Sequence, residues 1–207
     1  MAVDLWSTVH TERAALATDL TGLSDRAWAT ASLCRGWTVV QVLGHMTATA
    51  TMTPGRFLGK LARSGFRFPV MVERDIAAQT SGSPADTLAA FVAHVDDSTA
   101  PPGPADSWLG ETIVHATDIR WPLGLEHPFP ADAVVRVAEF YRGSNALIGA
   151  KRRIAGLTLR ATDTDWTTGS GPEVSGPALA LVMAMTGRVA AHERLAGPGL
   201  AELAARP

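Results

Sequence analysis

The stretch GETIVHATDIRWPLG, residues 110–124, constrains the chain more than any other. Its Ile, Val, Ala and Thr read as a helix with an inward face, and Pro122 and Gly124 stop it. Glu111 and His115 interrupt that apolar run four residues apart, which sets their Cβ atoms about 5–6 Å from each other on one helix face. A fold that buries this helix must give both groups a partner, because a buried charge without one is strongly unfavourable. If the pair is instead solvated, it contributes only a few tenths of a kcal/mol.

The remainder of the chain supplies helices for this one to pack against. In residues 4–20, Leu5, Val9, Ala15, Leu16 and Leu20 recur at near-helical spacing with charges between them, and Ser24 caps a short helix carrying Ala27 and Trp28. After a loop, SLCRGW, Thr38 is placed to cap TVVQVLGHMTATATM, whose Val39, Val42, Leu43 and Met46 mark the inward side. His45 lies beside that side. Residues 54–70, with Pro54, Gly55, Gly59, Gly65 and Pro69, read as a broken helix and a turn. MVERDIAAQT and SPADTLAAFVAHVDD are helical, the second opened by Ser83 and Pro84. TAPPGPAD is a connector, and PADAVVRVAEFYRGSNALIG reads as one more amphipathic helix. Beyond about residue 150 the character changes. LTLRATDTDWTTGSGPEVSG reads as one or two strands, and Pro177 opens the apolar helix PALALVMAMTGRVAAHERL. The expectation is a mainly α protein: a helical bundle over 1–150 and a small C-terminal α/β portion over 151–207.

With 46% hydrophobic and 18% charged residues, the chain can bury a substantial core and does not have a disordered composition. A net charge of −2, with no basic stripe or cluster, points away from nucleic acid and from an anionic membrane as partners. No run of about 18 apolar residues suggests a span, and the N-terminus has no apolar segment of the signal-peptide kind. The single cysteine, Cys34, leaves no internal disulfide, as expected of a reducing cytoplasm.

His45 on one helix and Glu111 and His115 on another can all donate to a metal. Two imidazoles and a carboxylate form a zinc ligand set that leaves a coordination position open, and helical bundles build such sites from inward-facing residues. Nickel also accepts this donor set. Spacing alone leaves other roles open. His45 reads equally as a hydrogen-bonded core histidine, and the zinc-protease arrangement of two histidines at i, i+4 is absent.

SLCRGWTVVQVLGHM (32–46) together with GETIVHATDIRWPLG resembles the mycothiol-dependent maleylpyruvate isomerase family, within the DinB-like helical-bundle superfamily. LSDRAW and GPEVSGPALALVMAMTGR also resemble family segments, so the likeness spans nearly the whole chain. Arg35 stands where the family usually has proline, and the C-terminal portion is short. The resemblance implies a DinB-like four-helix bundle, a Zn2+ or other divalent ion such as Ni2+ on His45, Glu111 and His115, and a functional arginine at Arg188. It further implies mycothiol as a low-molecular-weight thiol cosubstrate, whose thiolate adds to a small-molecule electrophile. Elimination after bond rotation would make the protein an isomerase; retention of the thiol would make it an S-transferase. The alternatives are a non-catalytic metal-binding or sensor module and a zinc hydrolase, the latter with no evident general base once Glu111 is a ligand.

Other residues read structurally. Cys34 is expected to be a packed loop residue, and Trp37 and Trp121 to be packing anchors. Asp118 can orient His115 or pair with Arg120. His10, His94, His127 and His192 fall outside the ligand pattern, with His94 the one to check against the cleft. An exposed apolar helix face would pair two copies, so a homodimer stays open.

Overall fold

The computed structural model describes residues 4–146 and 148–206. They fall into two compact units, Met1–His127 and Pro128–Pro207.

In the first unit all the regular elements described are helices. The order is α1 (Leu5–Asp19), α2 (Asp25–Trp28), α3 (Val39–Ala50), α4 (Pro54–Arg63), α5 (Phe68–Gln79), α6 (Pro84–Val92) and α7 (Ala105–Arg120). α1 packs along α7, and α3 is central, touching α5, α6 and α7. The shared core is aliphatic: Val9, Leu16, Val39, Val42, Leu43, Met46, Phe91, Leu109, Ile113 and Ile119 are all buried. Each such side chain removed from water contributes about 1.5–3 kcal/mol, so the inward faces of α3 and α7 are held firmly in register.

Local chemistry starts the helices where the sequence indicates. Gln41 Oε1 accepts from the Thr38 backbone N–H at 2.9 Å, the reach-back half of a capping box at the start of α3. Ser83 Oγ accepts from the Asp86 N–H at 3.2 Å and opens α6 ahead of Pro84. The segment 54–70 holds one regular helix, α4, and the expected turn, and the helix expected from Met71 begins three residues earlier, at Phe68. Thr53 caps α4 by accepting from the Arg56 N–H, and the turn to α5 passes through Gly65 and Phe66, both in the left-handed region.

α1 departs from a simple amphipathic pattern. Glu12 and Arg13, expected among the solvated charges, are 3% and 1% exposed. Glu12 Oε2 lies 2.7 Å from His127 Nε2, and Arg13 Nη1 donates to the Asp97 carbonyl at 3.0 Å. Where α1 and α7 end, the buried Arg120 donates from Nε to Asp19 Oδ2 at 2.7 Å.

The second unit contains α8 (Ala131–Gly143), α9 (Ala150–Arg153), α10 (Ala178–Met185), α11 (Leu200–Ala204) and a three-stranded sheet. Its strands are β1 (Thr158–Ala161), β2 (Thr167–Gly169) and β3 (Glu173–Gly176), in the order β2-β1-β3. β1 pairs antiparallel with β2 and parallel with β3, giving one strand more than the one or two expected. The sequence places the boundary at 150, whereas the units divide after His127. The reason is that α8 buries Val134, Val137 and Tyr141 and packs on α10, and an apolar helix face does not state its partner in the sequence. Two helices are also shorter than expected. α8 ends at Gly143 instead of continuing to 149, a range in which Leu147 lies outside the described residues. α10 ends at Met185, where Gly187 turns the chain with φ +87° before a 3-10 segment, Val189–Arg194.

Among the described residues, no helix is long and apolar enough to cross a membrane.

Candidate metal centre

The three donors singled out in the sequence meet in the first unit. His45, Glu111 and His115 each present a ligand atom, and these atoms all lie within 4.8 Å of one another. The arrangement follows from packing. α3 and α7 bury Val42, Met46, Ile113 and Val114 against the core, which turns the neighbouring His45, Glu111 and His115 toward a common point. The imidazoles of His45 and His115 stand edge-on, with centroids 5.0 Å apart and planes at 80°. The ring of Trp37 lies 5.1 Å from His45 and 6.4 Å from His115. This residue, expected only as a packing anchor, is one wall of the site.

Each donor has an electrostatic environment of its own. Burial pushes His45 down to about 3, helped by the nearby His115 and opposed by Asp118. Its ring therefore stays neutral and keeps a lone pair to give. Glu111 is pushed up by burial, against the opposing pull of His115 and Arg13 and of the Thr112 and Thr49 hydroxyls. Part of the Glu111 residue borders the cleft, yet its Oε1 is shielded and has no hydrogen-bond partner. A buried carboxylate oxygen without a donor is rare in a folded protein, and a cation or a proton would satisfy it. The donor set and the orphaned oxygen both fit a divalent ion. Arg13, which sequence reasoning passed over, is the one cationic side chain from α1 that bears on Glu111.

Around the donors, Asp118 is fully buried, and its Oδ2 lies 2.9 Å from His115 Nδ1. A carboxylate there fixes the tautomer and tilt of the ring and leaves Nε2 for other work. The loop 32–38 is tied to the same helix, since the Leu33 N–H donates to the Asp118 carbonyl at 3.1 Å. Gly36, at φ +83°, makes the turn that brings Trp37 back over the histidines.

The other histidines lie outside this cluster. His94 Nδ1 faces Asp97 at 2.8 Å, His10 meets Ser98, and His127 meets Glu12. His192 belongs to the second unit, as does Arg188. Arg188 immediately precedes the 3-10 segment and donates from Nη1 to the Thr186 carbonyl at 3.0 Å.

A mainly α bundle with two imidazoles and a carboxylate converging from two helices defines a class, that of helical proteins with a candidate metal centre. The comparisons narrow it. Residues 9–120, more than half the chain, match the family described as mycothiol maleylpyruvate isomerase N-terminal domain, and the chain belongs to that family. Two solved structures share the fold. The mycothiol-dependent maleylpyruvate isomerase is 16% identical with a TM-score of 0.64, covering 94% of this chain and 92% of its own. A histidine-to-alanine mutant of an enzyme of that name is 17% identical with a TM-score of 0.63 and the same coverage. No curated protein matches this chain in sequence.

Proposed function

We propose that this protein is a metal-dependent, mycothiol-using enzyme, an isomerase or a thiol S-transferase, with a divalent cation, zinc by its donor chemistry, held by His45, Glu111 and His115. The observation that carries this is the meeting of the three donors where Glu111 keeps a buried, unpartnered oxygen. Family membership and the activity named for the two similar structures supply the thiol and the type of reaction.

A cation at these ligands lowers the pKa of a bound thiol so that the nucleophilic thiolate is available near neutral pH. The chain's own residues do the rest. His45 stays unprotonated through the physiological range and so does not repel the cation. Asp118 holds the proton of His115 on Nδ1 and keeps that ring in one orientation. Trp37 lies against both imidazoles and shields one side of the site, which strengthens the charge interactions there. Arg188 is assigned to a substrate carboxylate, for which a guanidinium offers a two-pronged fit. The thiolate adds across the double bond of a small enoyl acid, converting it to a single bond that can rotate. Expulsion of the thiol restores the double bond in the other geometry; without expulsion, the product is a thioether.

The test supplies purified protein with zinc, mycothiol and maleylpyruvate and follows the enoyl absorbance. Turnover is expected only when metal and thiol are both present, and is expected to fall to background in His45→Ala. Stoichiometric zinc without thiol-dependent turnover on any cis-enoyl acid tried would overturn the enzyme assignment in favour of a binding or sensor module.

A further inference from the structure

A second group of donors lies beside the first. Cys34 Sγ, a ring nitrogen of His115 and a carboxylate oxygen of Asp118 lie within 4.8 Å of one another. Only His115 belongs to both groups. We propose that Cys34, His115 and Asp118 form a second cation site, selective for a thiophilic ion such as Cd2+ or Cu+, whose occupation excludes an ion from the His45–Glu111–His115 site.

The loop is built to keep the sulfur there. The Cys34 N–H donates to Ser32 Oγ at 3.1 Å, and the Cys34 carbonyl accepts from the Trp37 N–H at 3.0 Å and from Ser32 Oγ at 3.2 Å. The Leu33 N–H, one residue earlier, is fastened to the Asp118 carbonyl on α7. Cys34 is half-buried, so an ion has a way in, and Asp118 is fully shielded, so its charge acts at close to full strength. A thiolate, an imidazole and a carboxylate together favour soft cations over the harder ions that a two-histidine carboxylate set accepts.

Mutual exclusion follows from the chemistry of His115. A neutral imidazole carries one N–H and one lone pair. With the proton on Nδ1, shared with Asp118 at 2.9 Å, the lone pair on Nε2 serves the first group. A cation between Cys34 and Asp118 takes Nδ1 instead. The proton then moves to Nε2, and the cysteine proton is released to solvent as the sulfur binds. His115 therefore serves one site or the other. This proposal does not depend on the isomerase assignment, because it concerns only where an ion sits.

The experiment titrates Cd2+ into metal-free protein and follows the sulfur-to-cadmium charge-transfer absorption in the ultraviolet. A band saturating at about one ion per chain is expected for the wild type. It is expected to vanish in Cys34→Ser, to persist in His45→Ala, and to need at least about tenfold more Cd2+ in His115→Ala and Asp118→Asn. Circular dichroism of each variant establishes that it is folded, and His115→Ala carries the test if Asp118→Asn is not. Absence of the band in the wild type overturns the proposal. So does its loss in His45→Ala, which would make Cys34 an extra ligand of the first site. A band indifferent to both His115 and Asp118 would reduce Cys34 to an isolated thiol and overturn it equally.

Discussion

Acid should unfold the metal-free protein through His45. Its ring titrates near 6.5 in an unfolded chain and is held down to about 3 in the fold. A depressed folded value means that the unfolded chain binds the proton first. The stability His45 contributes is complete above about pH 6.5 and is lost as pH falls toward 3. Carried to its limit the difference is worth about 5 kcal/mol, and at pH 5 about 2 kcal/mol. Because the residue is half-buried and solvent reaches part of it, about 1–2 kcal/mol at pH 5 is the working figure. The assay is urea unfolding in a chelator at pH 8 and pH 5, followed by tryptophan fluorescence, for wild type and His45→Gln. Glutamine keeps a polar side chain and removes the titration. The wild type should lose about 1–2 kcal/mol more than the variant between the two pH values. Equal losses would refute the claim that this imidazole is held neutral by burial.

Three further outcomes follow from named contacts. Asp118→Asn, which replaces the carboxylate facing His115 Nδ1, should weaken zinc binding about 10–100-fold in a chelator competition, with little change in zinc stoichiometry at saturation. Asp19→Asn should destabilise the first unit by about 1–2 kcal/mol in urea unfolding, because the carboxylate 2.7 Å from the buried Arg120 is neutralised, although Asp19 itself is one-third exposed. Gly169→Ala should destabilise the second unit by more than about 2 kcal/mol, since φ is +81° and an added Cβ would sit 2.1 Å from the Leu157 carbonyl oxygen.

The candidate donors are legible because α3 and α7 each carry an apolar face. Once Val42, Met46, Ile113 and Val114 are inward, the directions of His45, Glu111 and His115 are nearly determined. Thr38 and Ser83 announced their helices because capping is local chemistry between residues three apart. What the sequence hid depends on distant partners. Glu12 and Arg13 look like surface charges until His127 and Asp97 arrive from more than 80 positions away. That Cys34 lies beside His115 and Asp118 is not visible from its sequence neighbours, Leu33 and Arg35. That α8 packs with the second unit is hidden for the same reason: its face is apolar whichever helix covers it, and α10 lies about 40 residues on.

The central claim is that His45, Glu111 and His115 hold one divalent ion. Elemental analysis of untagged protein, with His45→Ala and His115→Ala alongside, tests it most directly. One zinc or equivalent divalent ion per chain in the wild type, lost in both variants with the fold retained, is the predicted result. A wild type without stoichiometric metal after zinc is added back, or variants that keep it, would contradict the claim.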